Sequence, residues 1–259
     1  MPILLQNIAL RCANSRRLMF NPHPKIQLIP IPGHPPCVVV DDFLRDPQAL
    51  VDGTIQFRES FVMAPHNAFP GVELRMPDAF SARLNDFFIQ HVRDSLGARR
   101  VIELYSRLSM VTLQPPELSA YQRLCHRDRF TRDPARCYGA LVLYLFHDSS
   151  LGGTSFYAPK IPAHEIDRMY ALDSEWGDMP ADTCTRLLGA APAYLTTSNP
   201  YFELLCTVPA AWNRAIFYDG SIFHSAHIEA PERLSSDPEH GRLTLNGFFT
   251  CRRAVSNNT

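Results

Sequence analysis

The chain has 259 residues, 46% of them hydrophobic, and a formal net charge of −1 at pH 7. That length supports one large core burying roughly 70–75% of the unfolded surface, and a near-neutral chain offers no global field toward nucleic acid or an anionic membrane. Seven cysteines, an odd number with no C-x-x-C pair and no secretory signature, point to reduced thiols and a cytoplasmic location.

In chain order, the apolar run Ile3–Cys12 is too short to span a bilayer and lacks a basic lead, so neither a membrane helix nor a signal peptide is expected. The 22 prolines crowd residues 22–36 and predict an extended lead-in. The β-branched stretch Cys37–Val40 reads as a strand, and Asp46-Pro47 opens a helix to about Phe57. A second helix is expected over Asp78–Leu96, where Phe80, Leu84, Phe87, Phe88 and Val92 recur at helical spacing before Gly97.

Beyond residue 100 the pattern changes to strands, at Ile102–Leu113, Gly139–Phe146, Gly153–Ala158, Tyr201–Val208, Arg214–Tyr218 and Leu243–Thr250. Residues 159–200 interrupt them with short helices near Ala163–Leu172 and Ala181–Leu188, forming either a lid or the padding of a sheet edge. Helices followed by strands predict an α+β architecture with an antiparallel sandwich or jelly roll.

Chemistry-bearing residues are sparse. His126 and Asp128 lie two apart, so on an extended segment an imidazole and a carboxylate leave the same face and can grip one metal ion. Far downstream, His224 follows the strand 214–218 and a turn, with His227 three residues on. Two histidines and a carboxylate on one face of an octahedron leave the opposite positions open, the arrangement of non-haem Fe(II) oxygenases. Past these, Arg242, Thr244 and Asn246 share one face of the last strand, where a buried arginine beside a hydroxyl would clamp a carboxylate. An arginine at a strand start, solvated or ion-paired, is the structural alternative.

Taken together, His126-x-Asp128, then Ala140–Phe146 with Gly152-Gly153, then His224, then Arg242-x-Thr244 resemble the 2-oxoglutarate/Fe(II) oxygenase superfamily, particularly its prolyl 4-hydroxylase-like members, and Tyr201–Asn213 leading into Arg214–Tyr218 resembles an uncharacterised bacterial branch of it. The resemblance covers roughly residues 102–251. It implies one domain over 1–259: helical support at about 41–97, a double-stranded β-helix (cupin-like) core at about 102–251 and the insertion at about 159–200. It also implies Fe(II) on His126, Asp128 and His224, with 2-oxoglutarate on Arg242 and Thr244 and O2 as the further co-substrate. The prime substrate is expected to be a small molecule or a peptidyl residue, with no nucleic-acid or membrane partner; oligomeric state is open. Halogenating relatives carry a small residue at the position of Asp128, so an aspartate there implies hydroxylation or a related oxidation. Candidate pocket residues are Tyr121, Arg127, Tyr144 and the 159–200 insertion.

The same residues admit other readings. His126-Arg127-Asp128 spells the start of a kinase catalytic loop, but Asp133 stands where that loop needs asparagine and no glycine-rich loop is present. Cys125 has no partner at zinc spacing and reads as a small buried hydrophobe. The alternatives that survive are a metal-binding cupin without 2-oxoglutarate, which would have no use for Arg242, and a scaffold without catalysis.

Overall fold

The computed structural model describes residues 19–63, 69–129, 133–166 and 191–254. Strand β1 (Lys25–Ile31) turns at Gly33 into β2 (His34–Asp41), and helix α1 (Pro47–Ile55) follows. After β3 (Val62–Met63) and β4 (Gly71–Arg75) comes α2 (Asp78–His91). The strands β5 (Ala98–Val111), β6 (Arg136–Tyr144), β7 (Thr154–Pro159), β8 (Phe202–Val208), β9 (Ala215–Asp219), β10 (Phe223–Ala226) and β11 (Arg242–Arg253) complete the order.

An eight-stranded sheet runs β1-β2-β9-β6-β11-β5-β4-β3 and faces a three-stranded sheet β10-β7-β8, every pair antiparallel. The bridge His126↔His224 adds a further short rung beside β10. Within the core, β5, β11, β6 and β9 belong to one sheet, while the His126 rung, β10, β7 and β8 belong to the other. That alternation is the double-stranded β-helix expected from the sequence.

Alternating side chains decide which face of the large sheet does what. Leu243, Leu245 and Phe249 of β11 join Leu141, Leu143, Ala215, Phe217, Val38 and Val40 on the outer face. Helix α2 covers that face with Phe80, Leu84, Phe87 and Phe88, and Phe88 stacks on Phe249 at 4.0 Å between ring centroids. Burying one such ring contributes about 2–3 kcal/mol. Gly247 admits the helix, because a Cβ there would stand 3.0 Å from Leu84 Cδ2. The inner face of β11 is left with Arg242, Thr244, Asn246 and Phe248.

Helix α1 begins where Asp46 accepts from Ala49 N at 3.0 Å, with Pro47 in the first turn. Helix α2 ends at His91, and a 3-10 turn over Arg93–Leu96 closes on Gly97 at φ +63°, as the expected stop required. The stretch 41–97 is not purely helical support, since β3 and β4 extend the large sheet beyond β5. The proline-rich lead-in likewise forms a strand pair: Pro30 sits at an irregularity of the edge strand β1, and Pro35 and Pro36 lie outside the β2–β9 register Val38–Val40. Those are the places a sheet tolerates a missing donor.

The run Ile3–Cys12, most of the expected helix Ala163–Leu172 and all of Ala181–Leu188 lie outside the described residues. Among the described residues no helix is long and apolar enough to cross a membrane.

Candidate metal centre

The segment holding His126 and Asp128 is extended because its backbone is tied to the strand opposite. His126 N donates to His224 O (2.9 Å), His224 N donates to His126 O (2.8 Å), and Asp128 N donates to Gly220 O (2.9 Å). His126 and Asp128 therefore face one side, while Arg127 turns away to lie over the Phe223 ring at 4.6 Å. Gly220 has no Cβ to obstruct the carboxylate; one there would stand 3.2 Å from Asp128 Oδ2.

These contacts bring one ligand atom from each of His126, Asp128 and His224 within 4.8 Å of one another. His126 Nε2 is 3.8 Å and His224 Nε2 3.6 Å from Asp128 Oδ1. His224 Nδ1 lies 2.9 Å from Ile222 O, so it carries the proton and leaves Nε2 bare toward Asp128. Tyr218 meets the His224 ring edge-on at 4.8 Å. Asp128 Oδ2 is buried with no hydrogen-bond partner, an expensive state for a carboxylate oxygen unless a cation belongs beside it. Two imidazoles and a carboxylate suit a divalent transition metal such as iron.

Burial would raise the pKa of Asp128, but His224, His126 and Arg107 outweigh it and hold the carboxyl below its usual range. Burial and then His224 push His126 well down. Burial also acts to lower His224, yet Asp128 and the Ile222 carbonyl win and raise it. His224 is thus the ligand at which protons compete first, because a raised pKa puts proton binding at higher pH than for an ordinary histidine. Divalent-metal affinity, measured by titration between pH 5 and 8, is expected to fall about tenfold per pH unit once pH drops below the His224 value. An affinity flat across that range would contradict this ligand assignment.

The cluster opens into a cavity of about 100 Å³ between the two sheets, also lined by Arg242, Thr244, Asn246, Phe248 and Arg107. Arg242 is 3% exposed; Nε donates to Leu151 O and Nη2 to Gly153 O, both at 2.9 Å. The Gly152-Gly153 turn makes this possible. Gly152 sits at φ +84° with the His227 carbonyl where a Cβ would be, and the two peptide carbonyls flanking it converge on the guanidinium. No carboxylate pairs with Arg242 among the described residues. A buried cation without a counter-ion, on a cavity wall, is suited to an anionic ligand. Thr244 Oγ1 is held by Ser109 O at 3.3 Å.

The structure joins His224, rather than His227, to His126 and Asp128; the His227 ring meets Ser155 Oγ at 2.8 Å and Glu229 at 3.5 Å. Two of the expected pocket residues do not line the cavity. Arg127 is on the opposite face of its segment, and Tyr144 is buried behind the wall with its hydroxyl 2.8 Å from Thr154 Oγ1. Tyr121 lines the cavity, and so do Tyr194 and Leu195 from the end of the insertion. Arg107 and Tyr218 are lining residues that the sequence reading passed over; the period of two along the expected strand 102–113 was the signal for Arg107, which shares a face with Ser109 and Val111.

Residues 22–249 match the profile of a family described as "Family of unknown function (DUF6445)". No curated protein matches the chain. Solved structures with a similar fold include SnoN, a non-heme alpha ketoglutarate dependent epimerase from nogalamycin biosynthesis, at 13% identity and TM-score 0.43 over 100% of this chain and 88% of that one. A Pseudomonas putida prolyl-4-hydroxylase overlaps at 13% identity and TM-score 0.39 over 96% and 98% of the two chains. HygX from Streptomyces hygroscopicus, solved with nickel, 2-oxoglutarate and hygromycin B, overlaps at 13% and 0.42 over 83% and 82%.

Proposed function

Because the chain belongs to DUF6445, a family of unknown function, its activity has to be read from the cavity, and we propose that it is a non-haem Fe(II)- and 2-oxoglutarate-dependent dioxygenase hydroxylating a C–H bond of a small molecule, an amino acid or a peptidyl residue. The observation that carries this reading is one cavity containing both a two-histidine, one-carboxylate cluster with an unpartnered carboxylate oxygen and a buried arginine without an acidic partner among the described residues. A metal-binding jelly roll without 2-oxoglutarate accounts for the first feature and leaves the second without a purpose.

His126, Asp128 and His224 would hold Fe(II), and Arg242 with Thr244 would hold the far carboxylate of 2-oxoglutarate. When bound, iron and the keto acid supply the oxidation: O2 and 2-oxoglutarate yield succinate, CO2 and one oxygen atom for the substrate. The protein's own part is geometry. The Ile222 carbonyl fixes the His224 tautomer, the paired backbone of 126 and 224 sets the spacing of the rings, and the carbonyls of Leu151 and Gly153 keep the guanidinium in one plane. Leu124, Leu141, Phe248 and Ala226 line the cavity with apolar surface that limits water. The reading gives no role to nucleic acid or a membrane.

Anaerobic titration with Fe(II) and then 2-oxoglutarate tests it without knowledge of the substrate. A weak visible charge-transfer band that saturates at one equivalent of iron is expected. Tight Fe(II) binding with no band on adding the keto acid would leave a metal protein of another kind.

A further inference from the structure

The cavity contains a second arginine that the proposed chemistry does not use. Arg107 projects from β5 directly opposite Asn246 of β11, four residues along the strand from Arg242. Four residues of strand cover about 14 Å, whereas the carbon chain of 2-oxoglutarate spans roughly half that. Asp128 Oδ2 lies against Gly220, which abuts Ala140, and Ala140 pairs with Phe248, the ring beneath Arg107. Arg242 is six residues from Phe248 along β11, bound to the Leu151 and Gly153 carbonyls. Arg107 therefore stands at the metal end of the cavity and Arg242 at the far end.

Arg107 is also held for use. Its Nη1 donates to Glu73 at 2.8 Å, and its guanidinium lies over the Phe248 ring at 4.7 Å and the Phe69 ring at 5.8 Å. This fixes the plane of the group while only Nη1 is engaged. Nε is buried and has no hydrogen-bond partner, and Nη2 has none among the described residues. An unmet donor on a planar fork beside an aromatic wall fits a carboxylate on a molecule with apolar substance next to it.

We infer that Arg107 is the specificity-determining residue for the prime substrate, which is a carboxylic acid whose acid group is anchored on Nε and Nη2 and whose apolar part packs on Phe248. This rests on the oxygenase reading above. The acid group would place a neighbouring C–H bond at the metal end, and the co-substrate would keep the Arg242 end.

The probe is a panel of N-acetyl-L-amino acids paired with their primary amides, which differ in the carboxylate alone. The holoenzyme with Fe(II) and 2-oxoglutarate is scored anaerobically for a shift of the charge-transfer band and in air for added succinate. At least one acid is expected to outperform its amide by roughly tenfold or more in half-saturating concentration. Removing Arg107 alone takes a charged partner from the buried Glu73 carboxylate and threatens the fold, so Arg107→Gln is made together with Glu73→Gln as well as singly. In the folded variant the preference for acid over amide is expected to disappear, and Arg107→Lys is expected to recover part of it. A panel in which no acid outperforms its amide overturns the proposal, as does a doubly substituted protein that keeps the wild-type preference. Absence of the charge-transfer band in the wild-type protein instead counts against the oxygenase reading itself.

Discussion

Replacement of Asp128 by Ala is expected to reduce Fe(II)-dependent consumption of 2-oxoglutarate more than about 1,000-fold, or about 4 kcal/mol, and to remove the stabilisation that metal gives the fold. In the metal-free protein two effects oppose each other. Oδ2 is buried and unpartnered, which costs about 1–3 kcal/mol. Against it, and despite burial, His224, His126 and Arg107 hold the carboxyl below its usual range, so at neutral pH the charged group is favoured in the folded chain over the unfolded one. The second effect wins, and near pH 7 the apo variant should melt below the wild type, by about 2–4 °C per kcal/mol lost in a chain of this size; the difference should shrink as pH falls through the depressed carboxyl value. Fe(II), or Mn(II) as an air-stable stand-in, binds the native state and raises the melting temperature of the wild-type chain, and this rise should vanish in the variant. Paired thermal unfolding with and without metal checks both halves. A variant that still gains from metal as the wild type does would mean that the ion sits elsewhere.

The wild-type site was legible in the sequence to the extent that it depends on alternation along strands. His126 and Asp128 share a face because their segment is extended, and Arg242, Thr244 and Asn246 share the inner face of β11, as a period of two requires. The long-range pairings were not legible. That His126 pairs with His224, almost a hundred residues away, comes from sheet closure, which no local pattern encodes. Spacing along the chain could not choose between His224 and His227, only three residues apart; the choice follows from strand register, since Phe223–Ala226 pairs with β7 and the chain leaves the sheet before residue 227. Arg107 was passed over because a mid-strand arginine reads as a solvated side chain until the facing strand is known. The hairpin β1–β2 was hidden by its prolines, which suppress strand propensity but are harmless on an edge. The link between the Gly-Gly turn and Arg242 is also tertiary: the turn supplies carbonyls to a side chain 89 residues downstream.

Substituting Arg242 by Ala is expected to raise the 2-oxoglutarate concentration needed for half-saturation about 100-fold or more while leaving Fe(II) affinity near that of the wild type. Truncating one partner of a buried, hydrogen-bonded charge pair costs about 2–5 kcal/mol, and here the partner would be the far carboxylate of the co-substrate. The cost should appear chiefly in co-substrate affinity, because Arg242 lies away from the three metal ligands along β11. Part of it is structural, since removal leaves the carbonyls of Leu151 and Gly153 without their donor. Arg242→Lys separates the two contributions. The ammonium keeps the positive charge but lacks the planar fork braced by two carbonyls, so an intermediate rise of about tenfold is expected. Titrating 2-oxoglutarate against the Fe(II) charge-transfer band, with succinate release measured in parallel, distinguishes lost affinity from lost chemistry. If the folded Arg242→Ala protein bound the keto acid as the wild type does, the buried guanidinium would be a brace for the Gly152-Gly153 turn, and the co-substrate would have to be anchored at another part of the cavity.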